Sequence, residues 1–237
     1  MNFTSDTPVR QIVLEIPTAI PVFESFGIDY CCGGKSTLAA ACAKRGLAAA
    51  PVLEELERQQ QKTSGNETDW GKAPLQELAE YIVERHHAFT RQQLDLVRQL
   101  AAKVGMRHGD LHPEVLEVRE ACAVIAADLT HHFFCEENIL FPYISQLEAG
   151  DTPVLPPVFG SVDQPVSRMI MEHEQTGDEL RRIRELTGNY QPPADACTTY
   201  RALYRALEDL ERDLHQHIHL ENNILFPRAL EAARERV

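Results

Sequence analysis

The sequence predicts an all-α protein, a four-helix bundle preceded by a small helical domain. Four long segments, roughly 74–105, 113–147, 165–187 and 196–233, repeat apolar residues at helical spacing, with loops rich in Gly, Pro and Asp between them. No strand-like alternation competes with them. A motif also recurs: HFFCEENILFP at 132–142 and HIHLENNILFP at 217–227 agree at the His, the Glu and the following N-I-L-F-P.

In chain order, residues 1–58 carry short helical patterns broken by Pro17, Pro21, Gly27, Gly33-Gly34, Gly46 and Pro51, as expected of a small helical domain. Its segment DYCCGGKSTLAAAC hints at a phosphate loop, but that motif requires glycine where Asp29 stands, which excludes nucleotide binding. Instead Gly33-Gly34 can turn the chain, and Ser36 or Thr37 can cap a short helix ending near Gly46. Cys31 and Cys32 then precede that helix, where backbone N–H groups and Lys35 favour a thiolate. They are candidate redox or metal-delivery thiols, with small packed residues as the alternative. The polar stretch QQQKTSGNETDWGK, residues 59–72, reads as a linker, and 73–237 as the bundle.

At 237 residues with 43% hydrophobic content, the chain can bury a real core. Its formal net charge of -13 repels nucleic acid and anionic lipid. No apolar run approaches the roughly 20 residues that span a bilayer, and MNFTSDTPVR lacks a signal-peptide pattern, so the cytoplasm is expected. Cys31, Cys32, Cys42, Cys122, Cys135 and Cys197 form no disulfide framework and contain no CxxC pair. A metal site must be sought among the ten histidines and the carboxylates.

A seam facing a bundle core advances by steps of four and three. In the second bundle helix it runs Val118, Cys122, Ile125, Leu129, His132, Glu136, Ile139, Tyr143; in the fourth, Leu203, Leu207, Leu210, Leu214, His217, Glu221, Ile224. The first runs Val83, His87, Thr90, Leu94, Val97, Ala101, Val104, and the third Val166, Ile170, His173, Gly177, Leu180. His87 lies 45 residues before His132 and His173 lies 44 before His217, so the second half of the bundle repeats the first. Four imidazoles and two carboxylates thus aim inward. An unpaired carboxylate there would cost several kcal/mol or take up a proton, whereas a cation satisfies it. Both carboxylates can bridge two ions while the imidazoles divide two to each, leaving room for an oxo or hydroxo bridge. Such donors suit iron or manganese better than zinc.

The phase of the helices places His86, His131, His215 and His219 off the seam, in surface or boundary positions. Glu137 is excluded as a direct ligand on the same ground and because the repeat puts Asn222 in its place. His108 is expected to be a solvated histidine at a helix C-terminus, with a role at the metal site as the alternative. Asp128 and Glu172 are acids near the site, either solvated or supporting a ligand.

With IDYCCGGKSTL in the N-terminal domain and HFFCEENILFP and HIHLENNILFP in the bundle, the chain resembles the Ric-type iron-sulfur cluster repair di-iron proteins over essentially its whole length. The resemblance implies a hemerythrin-like antiparallel bundle with two non-haem iron ions, oxo- or hydroxo-bridged. The ligands would be His87, His132, His173 and His217, with Glu136 and Glu221 bridging. It also implies damaged iron-sulfur proteins as partners and nitric oxide or oxygen as small ligand, and it allows a homodimer. The implied activity is repair of clusters damaged by nitrosative or oxidative stress. Nitric oxide binding or reduction at the same irons, or iron or oxygen sensing, are the alternatives. Oxygen-carrying hemerythrins use five histidines, and the duplicated halves here supply four.

Overall fold

The computed structural model describes residues 3–62, 68–150 and 161–235. The N-terminal part folds as α1 (Val9–Glu15), α2 (Ile20–Phe26), α3 (Leu38–Lys44) and α4 (Ala49–Lys62). They enclose a core of their own built on Val9, Ile12, Phe23, Tyr30, Leu38, Val52 and Leu56. Gly27 closes α2 at φ 63°, a left-handed conformation that favours glycine. Thr37 caps α3, its side chain accepting from Ala40 N–H. α4 continues to Lys62, past the boundary expected at residue 58, and residues 63–67 of the expected linker lie outside the described residues.

Four long helical rods follow. The first joins α5 (Leu75–Tyr81) to α6 (Ala88–His108), and the second joins α7 (Glu114–Cys135) to α8 (Phe141–Ala149). The third is α9 (Asp163–Leu186); the fourth joins α10 (Thr198–Leu220) to α11 (Phe226–Arg234). Consecutive rods are antiparallel: the start of the first meets the end of the second at His87 and Glu137, and Arg182 late in the third meets Glu117 early in the second. The first rod packs against the second and fourth, and the second against the third.

Three of the rods are joined by π-helical turns, Ile82–His87, Glu136–Leu140 and Glu221–Leu225. Ala88 N–H reaches Val83 O, Phe141 N–H reaches Glu136 O and Phe226 N–H reaches Glu221 O, each five residues back. In the last two the repeated proline supplies a cause. Pro142 and Pro227 have no N–H and would crowd the carbonyls of Asn138 and Asn223 in a regular α-helix. Each extra residue shifts the phase of what lies beyond it. The core therefore continues through Leu140 and Ile144 rather than Ile139 and Tyr143, and through Ile82 rather than Val83. The expected seams hold on one side of the turns and slip by one residue on the other.

Two apolar layers result. One gathers Val97, Val104, Val118, Ile125, Leu129, Leu203, Leu210 and Leu214; the other Leu78, Ile82, Leu140, Phe141, Val166, Leu225 and Phe226. The π turns bring a polar pocket to the level between them.

Candidate metal centre

The structure brings His87, His132, Glu136, His173, His217 and Glu221 into one pocket, where none is more than 2% exposed. Their donor atoms fall into two groups, His87–Glu136–His217–Glu221 and His132–Glu136–His173–Glu221, each within 4.8 Å. Both carboxylates belong to both groups, and the imidazoles divide two and two.

The hydrogen-bond pattern fits a cation. His87 Nδ1 lies 2.7 Å from Glu137 Oε1, His132 Nδ1 2.8 Å from Glu172 Oε2, and His173 Nδ1 2.9 Å from Asn222 Oδ1. Each acceptor calls for a proton on Nδ1, which turns an Nε2 lone pair into the pocket. There the Nε2 atoms confront one another, His87 and His217 at 3.2 Å, His132 and His173 at 3.0 Å. Between His132 and His173 two lone pairs at that distance repel unless a cation or a proton lies between them, while His217 Nε2 also lies 2.9 Å from Glu221 Oε1. Both oxygens of Glu136 and Oε2 of Glu221 are buried without a hydrogen-bond partner among the described residues. Glu136 nevertheless has His132 Nε2 at 3.2 Å and His87 Nε2 at 3.4 Å, so these atoms converge on common points rather than on each other. Orphaned carboxylate oxygens facing imidazole lone pairs form a donor set that a pair of cations would satisfy.

Electrostatics agree. Burial raises the carboxyl of Glu221, but His217 and His173 outweigh it and hold the group well below its ordinary range. Glu136 is likewise lowered, by His132 and His87 against burial and Glu221. Burial opposes charge on His87 and His132, yet Glu136 and Glu221 raise both. His217 is lowered, by burial above all.

The neighbours meet expectation in part. Glu137 points off the ligand seam but hydrogen-bonds His87 and is held by Arg91 at 2.8 Å. Glu172 takes the supporting alternative, whereas Asp128 is exposed. His86 and His219, expected at the surface or boundary, are 2% and 3% exposed. His86 stacks on His217 and sits 3.1 Å from Asp213, and His219 packs under the N-terminal helices. Helical phase on one rod cannot register a neighbour that covers its outer face. The phenylalanine of the repeat also has a place: Phe141 stacks on His87 at 5.9 Å and Phe226 on His173 at 6.1 Å. The repeat marked these positions, since 137 and 222 both carry acceptors and 141 and 226 are both Phe. His108 is half-buried at the far end of the bundle, 3.3 Å from Cys197 Sγ.

The thiols require a correction. α3 starts only at Leu38, so Cys31 and Cys32 do not lie directly before its first turn. Cys31 is buried against Cys32 Sγ at 3.9 Å and Asp29 Oδ1 at 3.4 Å. The contact with Cys32, burial and the Asp29 charge push its thiol well above its ordinary value. Gly34 makes this loop, because a Cβ there would lie 2.6 Å from Tyr30 O. The loop rests on the bundle, with Cys32 Sγ 3.7 Å from His173 O, beside a cavity of about 380 Å³ that Arg181, Arg184 and His215 also line.

Fold and pocket together define a helical bundle of the cation-binding hemerythrin class joined to a second helical unit. Residues 78–229 match the Hemerythrin HHE cation binding domain, and residues 5–60 match a domain of unknown function, DUF542. The iron-sulfur cluster repair protein YtfE of Escherichia coli O157:H7 is 37% identical over 225 residues, covering 95% of this chain and 97% of that protein. The protein of the same name from Escherichia fergusonii is similar to the same extent. The chain belongs to the YtfE family.

Proposed function

We propose that this protein repairs iron-sulfur clusters damaged by nitrosative or oxidative stress, acting through two non-haem iron ions. His87 and His217 would hold one ion and His132 and His173 the other, with Glu136 and Glu221 bridging. The observation that carries the reading is the sharing of both buried carboxylates between two imidazole pairs. The names of the YtfE relatives support the repair role. A bound, oxo- or hydroxo-bridged iron pair would supply one-electron chemistry, an open position for nitric oxide or oxygen, and releasable iron for a damaged client.

The chain's own residues set the conditions for that chemistry. Glu137, Glu172 and Asn222 fix the Nδ1 proton and ring orientation of three imidazoles. Apolar layers above and below the pocket exclude water and strengthen every charge interaction inside it. Among the described residues no helix is long and apolar enough to cross a membrane.

Anaerobic iron loading tests the reading. About two irons per chain are expected from the six donors, with antiferromagnetic coupling when oxidised. One tetrahedral zinc, or no iron after loading, would refute it. The loaded protein should then restore activity to a client whose cluster nitric oxide has damaged. Turnover of nitric oxide to nitrous oxide without repair would instead assign direct nitric oxide chemistry. Cys31→Ser with Cys32→Ser should keep the full iron content, because the thiols lie outside the donor set.

A further inference from the structure

The π turn Glu221–Leu225 presents three consecutive polar side chains to three different partners. Glu221 faces the cation pocket, Asn222 receives His173 Nδ1, and Asn223 leaves the bundle for the loop between α2 and α3. Asn223 is 8% exposed, and its Nδ2 donates to the carbonyl oxygens of Tyr30 at 3.3 Å and Cys31 at 3.2 Å. His219 Nδ1 sits 3.1 Å from the same nitrogen.

The repeat supplies an internal control. Asn138 holds the matching place in the turn Glu136–Leu140, yet it is exposed and donates back to Phe134 O at 2.9 Å. Nothing in the NILFP turn itself therefore demands a buried asparagine. Tyr30 and Cys31 carbonyls, shut away from water, demand a donor, and Asn223 is the side chain that meets both.

The surroundings fit a seat for this loop. Tyr30, 1% exposed, packs its ring 6.1 Å from His215 and 5.6 Å from His219, and its hydroxyl donates to Glu24. Cys32 settles beside Gly177, where a Cβ would come 3.8 Å from its sulfur. Arg184 reaches Glu211 across the third and fourth rods beneath the cavity.

We infer that Asn223 is a positioning residue that latches the Cys31–Cys32 loop onto the metal-binding bundle, so that thiols and cation pocket work as one unit. The inference rests on the proposed function for its consequence, although the latch itself does not. The loop's backbone is tied to the same five-residue turn that carries Glu221, and Cys32 abuts the backbone of His173. Releasing the latch separates the thiols from the pocket while every donor in the pocket remains.

The test compares Asn223→Asp, Asn223→Ala and Asn138→Ala in the iron-loaded full chain. Asparagine and aspartate share shape, but aspartate cannot donate to two carbonyls, so loss of packing and loss of hydrogen bonds are separated. Alkylation of Cys32 by iodoacetamide, mapped by peptide mass, should quicken roughly tenfold or more in both Asn223 variants and stay unchanged in Asn138→Ala. Iron content should be equal in all, and cluster repair should fall only in the Asn223 variants. Unchanged alkylation in Asn223→Asp overturns the latch. Faster alkylation with undiminished repair overturns the working unit. Failure of the unmodified protein to repair any cluster would refute the proposed function, whereas the alkylation comparison would still judge the latch.

Discussion

Asn138 and Asn223 occupy the same place in the two halves of the bundle, and their surroundings have nothing in common. One faces solvent beside an exposed Phe134, whereas the other is buried beneath Tyr30 with His219 in the place of that phenylalanine. Support of the imidazoles diverges in the same way. Glu137 backs His87 with a charge, and its counterpart Asn222 backs His173 with a neutral carbonyl. Glu172 backs His132, but its counterpart His86 stacks on His217, whose Nδ1 has no hydrogen-bond partner among the described residues. The two donor groups match, each joining two imidazoles to the same two carboxylates. What surrounds them has diverged because only one half carries the N-terminal helices.

The largest expected effect concerns what the halves share. If Glu136 and Glu221 both bridge, Glu136→Ala and Glu221→Ala should each make both irons labile together, read by metal analysis and by loss of antiferromagnetic coupling. Release of a single ion would break the equivalence of the halves and require separate mononuclear sites.

Next comes the support of the imidazoles. Glu137→Ala should weaken iron binding on the order of 10–100-fold, because it removes the partner that fixes His87. Asn222→Ala should cost less, since a neutral acceptor polarises imidazole less than a carboxylate. Competition with a chelator measures both, and equal losses would erase the distinction.

A smaller effect separates Asp213 from its counterpart Asp128. Asp213 is 7% exposed beside buried His86, whereas Asp128 lies in solvent. Asp213→Ala should cost about 1–3 kcal/mol in urea unfolding by removing the buried carboxylate that faces His86 Nδ1 at 3.1 Å. Asp128→Ala should stay within about 0.5 kcal/mol.

The smallest is a pH effect confined to the covered half. Burial raises the Glu24 carboxyl from 4.5 to about 6, against the Tyr30 hydrogen bond and Arg212. The folded protein thus holds this proton more tightly than the unfolded chain, so Glu24 favours folding more as pH falls from above 6 toward 4.5. After allowance for its solvent-exposed part the gain should be under about 1 kcal/mol. Glu24→Gln should remove that increment from the pH dependence of the urea midpoint, and an unchanged profile would contradict it.

Periodicity alone placed His87, His132, Glu136, His173, His217 and Glu221 on the inner faces of four helices, because side-chain direction within a helix follows from residue spacing. The repeat paired them, and the family could be recognised from its two motifs. The sequence could not locate the π turns, since a single added residue leaves the apolar pattern readable on either side of a turn while changing its phase across it. Thus Leu140 and Ile82 are core where Ile139 and Val83 were expected. Nor could it show that Glu137 reaches His87, 50 residues away, or that Asn223 reaches Cys31 across 192. Those contacts, and the burial of His86 and His219, depend on which surfaces meet when the rods and the N-terminal helices pack. That is a property of the three-dimensional arrangement, because spacing along one helix carries no record of the neighbour that covers it.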